Sequence, residues 1–126
     1  MADEITKEIR NFLAEYVTSV AQLETLLWLF AHRGQAWNAE DLSREMRSTS
    51  VYAEMQLVHF EKKGLIGPTE DNISCFTYKG SPELTTKIEQ LVRLYQTHRF
   101  KIIDIIHAPT LGKIHNLADA FKFRKD

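Results

Sequence analysis

Residues Leu42–Ile66 read LSREMRSTSVYAEMQLVHFEKKGLI, and this stretch decides the fold. Ala39, Leu42 and Met46 repeat at the helical period. Asn38 stands where a side chain can cap the first turn, and Glu40 and Asp41 fall in that turn's positive field, so a short helix runs from there to about Arg47. Ser48, Thr49 and Ser50 form a polar turn with capping capacity. From Val51 to Lys63 the period returns, with Leu57 and Phe60 inward and Gly64 as the stop. Two helices joined by a short polar turn make a helix-turn-helix arrangement.

Upstream, Ile5, Ile9, Phe12, Leu13 and Tyr16 share one face of an amphipathic helix over Glu4–Val17, whose other face carries Lys7, Glu8, Arg10 and Glu15. Ser19 and Gln22 have capping-box spacing, which starts a second helix through Leu23, Leu26, Leu27, Leu29 and Phe30 to about His32, before Gly34. That helix is apolar around much of its circumference and is therefore central. Downstream the period changes. Leu65 and Ile66 open an extended segment with Pro68 at an edge, Asp71-Asn72 is a turn signal, and Ile73, Cys75 or Phe76, and Tyr78 belong to a return strand. A hairpin placed after a helix-turn-helix is a wing. The fold class predicted is mainly α (α+β): a winged helix-turn-helix with an N-terminal helix, a short β-hairpin wing and a long C-terminal dimerisation helix.

Gly80-Ser81-Pro82-Glu83 closes the hairpin and opens that helix, with a capping serine and a first-turn proline. Leu84, Ile88, Leu91, Tyr95, His98, Ile102 and Ile105 then alternate steps of four and three, the spacing of a coiled-coil seam. Val92, Phe100, Ile103 and Ile106 lie outside the seam, so the stripe is wide enough for two neighbours, the chain's own domain and a second copy. A helix of about 25 residues would span nearly 40 Å at 1.5 Å per residue, longer than a small domain covers. The expectation is a homodimer, with residues 1–80 as the winged domain and 81–126 as the dimerisation region. Ala108-Pro109 ends the helix, and Leu111, Ile114, Leu117, Ala118 and Phe121 mark a short amphipathic helix before the basic Lys122-Phe123-Arg124-Lys125.

The segment Leu42–Ile66, with its polar turn and its ending Leu57-Val58-His59-Phe60-Glu61-Lys62-Lys63-Gly64-Leu65-Ile66, resembles the recognition-helix region of the MarR and PadR winged-helix regulators. Those families close that helix with a leucine, an acidic residue, two polar residues and Gly-Leu-Ile. The resemblance covers roughly residues 20–80. It implies a dimer that lays the 51–63 helix in the major groove of double-stranded DNA while the wing reaches the backbone. The residues it puts at the DNA are Ser48, Thr49 and Ser50 as phosphate donors, Tyr52, Gln56 and His59 at base edges, and Arg47, Lys62 and Lys63 flanking, with Arg44 nearby. Where those families often carry Ser, Thr or Arg, this chain has Val51, Tyr52, Glu54, Met55 and His59; Glu54 suits a cytosine amino group rather than a phosphate.

Charge does not add to this reading. The formal net charge of the 126 residues is −1, with acidic residues concentrated before residue 32 and a basic surplus after 110. A DNA contact must therefore rest on local cations. A winged-helix protein-interaction module using Tyr52, Met55 and His59 is the second reading, and a ligand pocket near Trp28, Trp37 and Tyr95 the third. Cys75 is the only cysteine, which excludes an internal disulfide and a multi-cysteine metal site within one chain. The five histidines have no metal-ligand spacing, and phosphate loops and nucleophile elbows are absent, so no enzyme class, metal or cofactor is expected. With no apolar run near the roughly 18 residues of a membrane span and no signal-peptide pattern, the expected location is the cytoplasm, with no membrane partner.

Overall fold

A computed structural model of the chain describes residues 5–108. Six helices and a small antiparallel sheet follow in the order α1 (Lys7–Tyr16), α2 (Val20–Ala31), α3 (Ala39–Met46), α4 (Ser50–Lys62), β1 (Ile66–Pro68), β2 (Phe76–Tyr78), α5 (Pro82–Thr97) and α6 (Arg99–His107). This is the winged helix-turn-helix expected from the sequence; the caps expected at the heads of α2, α3, α4 and α5 are present, Thr6 caps α1, and α6 starts at His98 without a side-chain cap. Thr6, Ser19, Asn38, Thr49 and Ser81 accept from the backbone N–H three residues on, at the heads of α1, α2, α3, α4 and α5. At α2 the box is displaced by one residue. Gln22 Oε1 accepts from the Thr18 N–H at 2.8 Å rather than from Ser19, which fixes the loop between α1 and α2.

The core runs through every helix. Ile9, Leu23, Leu26, Leu42, Phe60, Leu65, Ile88, Leu91 and Ile102 are fully buried, and their side chains form one continuous cluster. Burial of this kind contributes about 1.5–3 kcal/mol per large apolar side chain, the main favourable contribution to folding. α3 packs on α4, and α1 on both α5 and α6.

In the wing, β1 and β2 pair with Ile66 opposite Tyr78 and Pro68 opposite Phe76. Trp37 adds a third rung: its N–H donates to the Phe76 carbonyl, and the Phe76 N–H to the Trp37 carbonyl, both at 2.8 Å. The segment between α2 and α3 thus belongs to the sheet, which holds the wing against the helix-turn-helix. Ile73, expected in the return strand, sits instead at the hairpin tip and is 82% exposed. The reason is local. Asn72 Oδ1 accepts from the Ser74 N–H and its carbonyl from Cys75 and Thr69, so the turn claims residues 72–75 and pairing starts at Phe76.

The C-terminal helix is realised as two segments rather than one straight rod. Thr97 Oγ1 donates to the Arg93 carbonyl at 3.0 Å and stands 2.8 Å from His98 Nδ1, a back-bond of the kind that bends helices. The chain turns at His98 (φ −132, ψ 43), and the Ile102 N–H takes up the His98 carbonyl at 3.1 Å as α6 begins. Tyr95 and Arg99, on either side of the turn, both reach Glu24 Oε2 of α2, at 3.0 and 3.4 Å.

The bend changes what the seam does. Ile88, Leu91, Ile102 and Ile105 are buried in the chain's own core, Leu84, Tyr95 and His98 are half-buried, and Phe100, off the seam, is 80% exposed. As a correction to the sequence reading, those four isoleucine and leucine positions are not free to meet a second chain: the stripe is satisfied by α1 and α2. The expected amphipathic helix over residues 111–121 and the basic Lys122–Lys125 tail lie outside the described residues. Among those that are described, no helix is long and apolar enough to cross a membrane.

Candidate nucleic-acid interface

The turn between α3 and α4 is built on one unusual residue. Arg47 adopts the left-handed conformation (φ 55, ψ 45), which lets its own N–H reach the Arg44 carbonyl at 3.4 Å and the Ser48 N–H reach the Ser43 carbonyl at 2.9 Å. Orphan carbonyls of α3 are satisfied this way, and the chain is redirected in two residues. Thr49 then caps α4, its Oγ1 accepting from the Tyr52 N–H at 3.0 Å. Arg47, Thr49 and Ser50 are exposed and Ser48 is half-buried, so a guanidinium and three hydroxyls ring the positive end of α4. Arg44 beside them is engaged by Glu40, at 3.4 Å, and by Asp41.

Three of the expected DNA-contacting residues face the other way. Gln56 is 5% exposed, and its Oε1 accepts from Gln22 Nε2 at 2.7 Å in a buried amide pair between α2 and α4. His59 Nε2 donates to the Tyr16 carbonyl at the end of α1, at 2.8 Å. Lys63 Nζ pairs with Glu15 at 3.2 Å and lies 6.0 Å from the centre of the Tyr16 ring. The expectation that these three meet DNA is corrected: they attach α4 to α1 and α2, because a 100° step per residue puts positions 56, 59 and 63 on the flank that meets those helices. Tyr52 is half-buried.

What α4 presents outward is Val51, Met55 and Val58, at 71, 60 and 40% exposed, with Glu54 and Lys62 exposed beside them. Lys62 has no ion-pair partner among the described residues. Ala39, Ser50, Val51, Glu54 and Met55 line a shallow groove of about 290 Å³ between the heads of α3 and α4. The sequence reading named Val51 only as a departure from a family pattern, Glu54 as a partner for a cytosine amino group and Met55 as part of a protein-binding surface; their place on the outer face follows from the inward set Ala53, Gln56, Leu57 and Phe60. On the wing, Lys79 is exposed at the base of the hairpin, where its N–H donates to the Leu65 carbonyl, and the acidic Glu70 and Asp71 are exposed in its tip loop.

The aromatic residues considered for a ligand pocket are packed on one another. Trp28 and Trp37 meet edge to face at 5.8 Å, and His32 stacks on Trp28 at 3.9 Å. Both indole N–H groups are buried and have no hydrogen-bond partner among the described residues. Tyr95 points to Glu24. Among the described residues no group of three or more histidine, cysteine or carboxylate side chains is placed to hold a metal ion.

No protein-family model and no curated protein sequence matches the chain. Solved structures do match. MepR, a transcription regulator of the Staphylococcus aureus multidrug efflux pump MepA, aligns at a TM-score of 0.55 and 16% identity over 94% of this chain and 84% of that one. The S. aureus MepR–DNA complex aligns at 0.55 and 12% over 97% and 90%. PefR, a heme sensor protein from Streptococcus agalactiae solved with heme, aligns at 0.52 and 15% over 93% and 81%. At such identities what is shared is the fold: the chain has the winged helix-turn-helix architecture of these structures, over more than nine-tenths of its length.

Proposed function

We propose that the protein is a DNA-binding transcription regulator, acting in the cytoplasm as a homodimer, with α4 as the helix that enters the major groove. One observation carries the reading. Among the described residues the outer face of α4 is exposed, with Arg47, Ser48, Thr49 and Ser50 at one end and Lys62, which has no ion-pair partner among them, at the other. A cation at each end of the helix, with hydroxyls beside the first, suits the two phosphate backbones that border a groove. The likeness to MepR, which has been solved with DNA, supports DNA as the partner. For the dimer the support is Phe100, a large apolar side chain left 80% exposed on α6, near the half-buried Ile103.

The test is fluorescence anisotropy of duplex DNA at two salt concentrations. With Arg47 and Lys62 as phosphate contacts in each of two protomers, the logarithmic salt slope is about −3.6, so affinity falls about 150-fold between 50 and 200 mM salt. Combined Arg47→Ala and Lys62→Ala substitution should flatten that slope and weaken binding. Absence of binding at 50 mM salt would overturn the proposal and leave the apolar stripe of α4 as a surface for protein.

A further inference from the structure

With α4 taken as the groove helix, the side chains left on its outside determine what it can read. Those with two-point hydrogen-bonding chemistry are committed elsewhere: Gln56 to Gln22 and His59 to the Tyr16 carbonyl. The outward line is Val51, Met55, Val58 and Lys62, flanked by Glu54. In the major groove only thymine offers an apolar group at its edge, the 5-methyl, and only the exposed amino groups of cytosine and adenine suit a carboxylate acceptor.

Dimensions agree with this division. A 13-residue helix is about 20 Å long, whereas the major groove is about 12 Å wide, so a helix crossing it overhangs the phosphates at both ends. Arg47 and Ser50 stand at one overhang and Lys62 at the other; Met55 and Val58 fall between them, over base edges, and Val51 stands at the edge of the groove beside Ser50. An apolar partner helix from a protein would have no use for cations bracketing the stripe.

We propose that α4 recognises duplex DNA by apolar contact with thymine 5-methyl groups, with Val51, Met55 and Val58 as the specificity-determining side chains and Glu54 accepting from a neighbouring cytosine amino group. The contact is dry and directionless, so it selects where methyls lie along the groove.

Uracil in place of thymine removes that methyl and nothing else, which makes the experiment direct. The full chain is used to select duplexes from a random-sequence pool, and the tightest is remade with uracil for every thymine. Each lost methyl contact should weaken binding roughly fourfold, so three contacts give a loss on the order of fiftyfold. The triple variant Val51→Ala, Met55→Ala, Val58→Ala, altered only at exposed positions and checked for an unchanged circular-dichroism melt, should bind thymine and uracil duplexes alike. Equal affinity of the wild-type chain for both duplexes, or binding without sequence preference, overturns the methyl readout while leaving DNA binding in place. No duplex enriched and no salt-dependent binding overturns the regulator reading itself, and this inference with it.

Discussion

Arg47 and Gly64 end consecutive helices by the same device with opposite residue types. In each, a left-handed residue (φ 55 for Arg47, φ 79 for Gly64) lets the following N–H reach back five residues, from Ser48 to Ser43 at 2.9 Å and from Leu65 to Phe60 at 3.0 Å. Glycine adopts this conformation without steric penalty, whereas a side chain there costs about 1–2 kcal/mol. Arg47→Gly should therefore stabilise the domain by about 1 kcal/mol in urea denaturation while weakening DNA binding; loss of stability would show that the guanidinium contributes to the fold. The retention of a strained arginine at the head of α4 is what a phosphate contact would require. Gly64 was readable in the sequence as a helix stop, because glycine after an apolar period has one common meaning. Arg47 was readable as a cation near a helix end, but not as the left-handed residue that closes it. Gln56 and His59 misled for a related reason: helical period tells which residues share a face, but whether a flank meets water or a neighbouring helix depends on how α1 and α2 cross α4.

Among the elements, the C-terminal pair shows where a sequence pattern stops being informative. The seam from Leu84 to Ile105 fits a heptad in every position, yet the helix bends at His98 and buries most of the stripe at home. Heptad spacing records that apolar side chains line up; it does not record whose surface they meet. Ile102→Ala should accordingly lower the unfolding free energy by about 2–5 kcal/mol, by a margin that does not vary with protein concentration. Phe100→Ser should leave the stability of the isolated chain within about 0.5 kcal/mol and shift the mass seen in light scattering from dimer toward monomer. An Ile102→Ala defect that disappears at high protein concentration would return that residue to the interface. The bend itself has a visible local cause in the Thr97 back-bond, and a threonine in mid-helix is too common to announce one. The wing was legible as a hairpin, but the Trp37 rung was not, since a single bridging residue leaves no alternating pattern.

Taken whole, the molecule is tied across its layers by two tyrosines. Tyr78 of β2 shares a 2.9 Å hydrogen bond with Thr85 of α5 and meets Phe30 of α2 edge to face, while Tyr95 of α5 donates to Glu24 of α2. Burial raises both phenols above their ordinary value near 10, and the Glu24 carboxylate pushes Tyr95 further in the same direction. A raised pKa means that the folded state favours the neutral phenol. The stability this contributes is complete below pH 10 and is lost as pH rises through the folded values. The melting temperature should thus drop steeply above pH 10, and Tyr78→Phe should make that drop shallower at the loss of about 1 kcal/mol from the Thr85 bond. An identical alkaline profile in the variant would remove Tyr78 from the account. At this scale the sequence was most informative, because the order of amphipathic helices, polar turn and hairpin is legible from periodicity alone and matches the architecture that MepR and PefR share with the chain.

The buried amide pair of Gln22 and Gln56 has one more consequence. Together with His59 on the Tyr16 carbonyl and Lys63 on Glu15, it prevents α4 from rolling about its long axis, and all three attachments lie on the inner side. The outward side chains of α4 itself, Val51, Glu54, Met55 and Val58, make none of these attachments. Descendants of this chain can therefore exchange Val51, Glu54, Met55 and Val58 freely, acquiring new targets by drift on one face of a single helix while the scaffold is inherited unaltered.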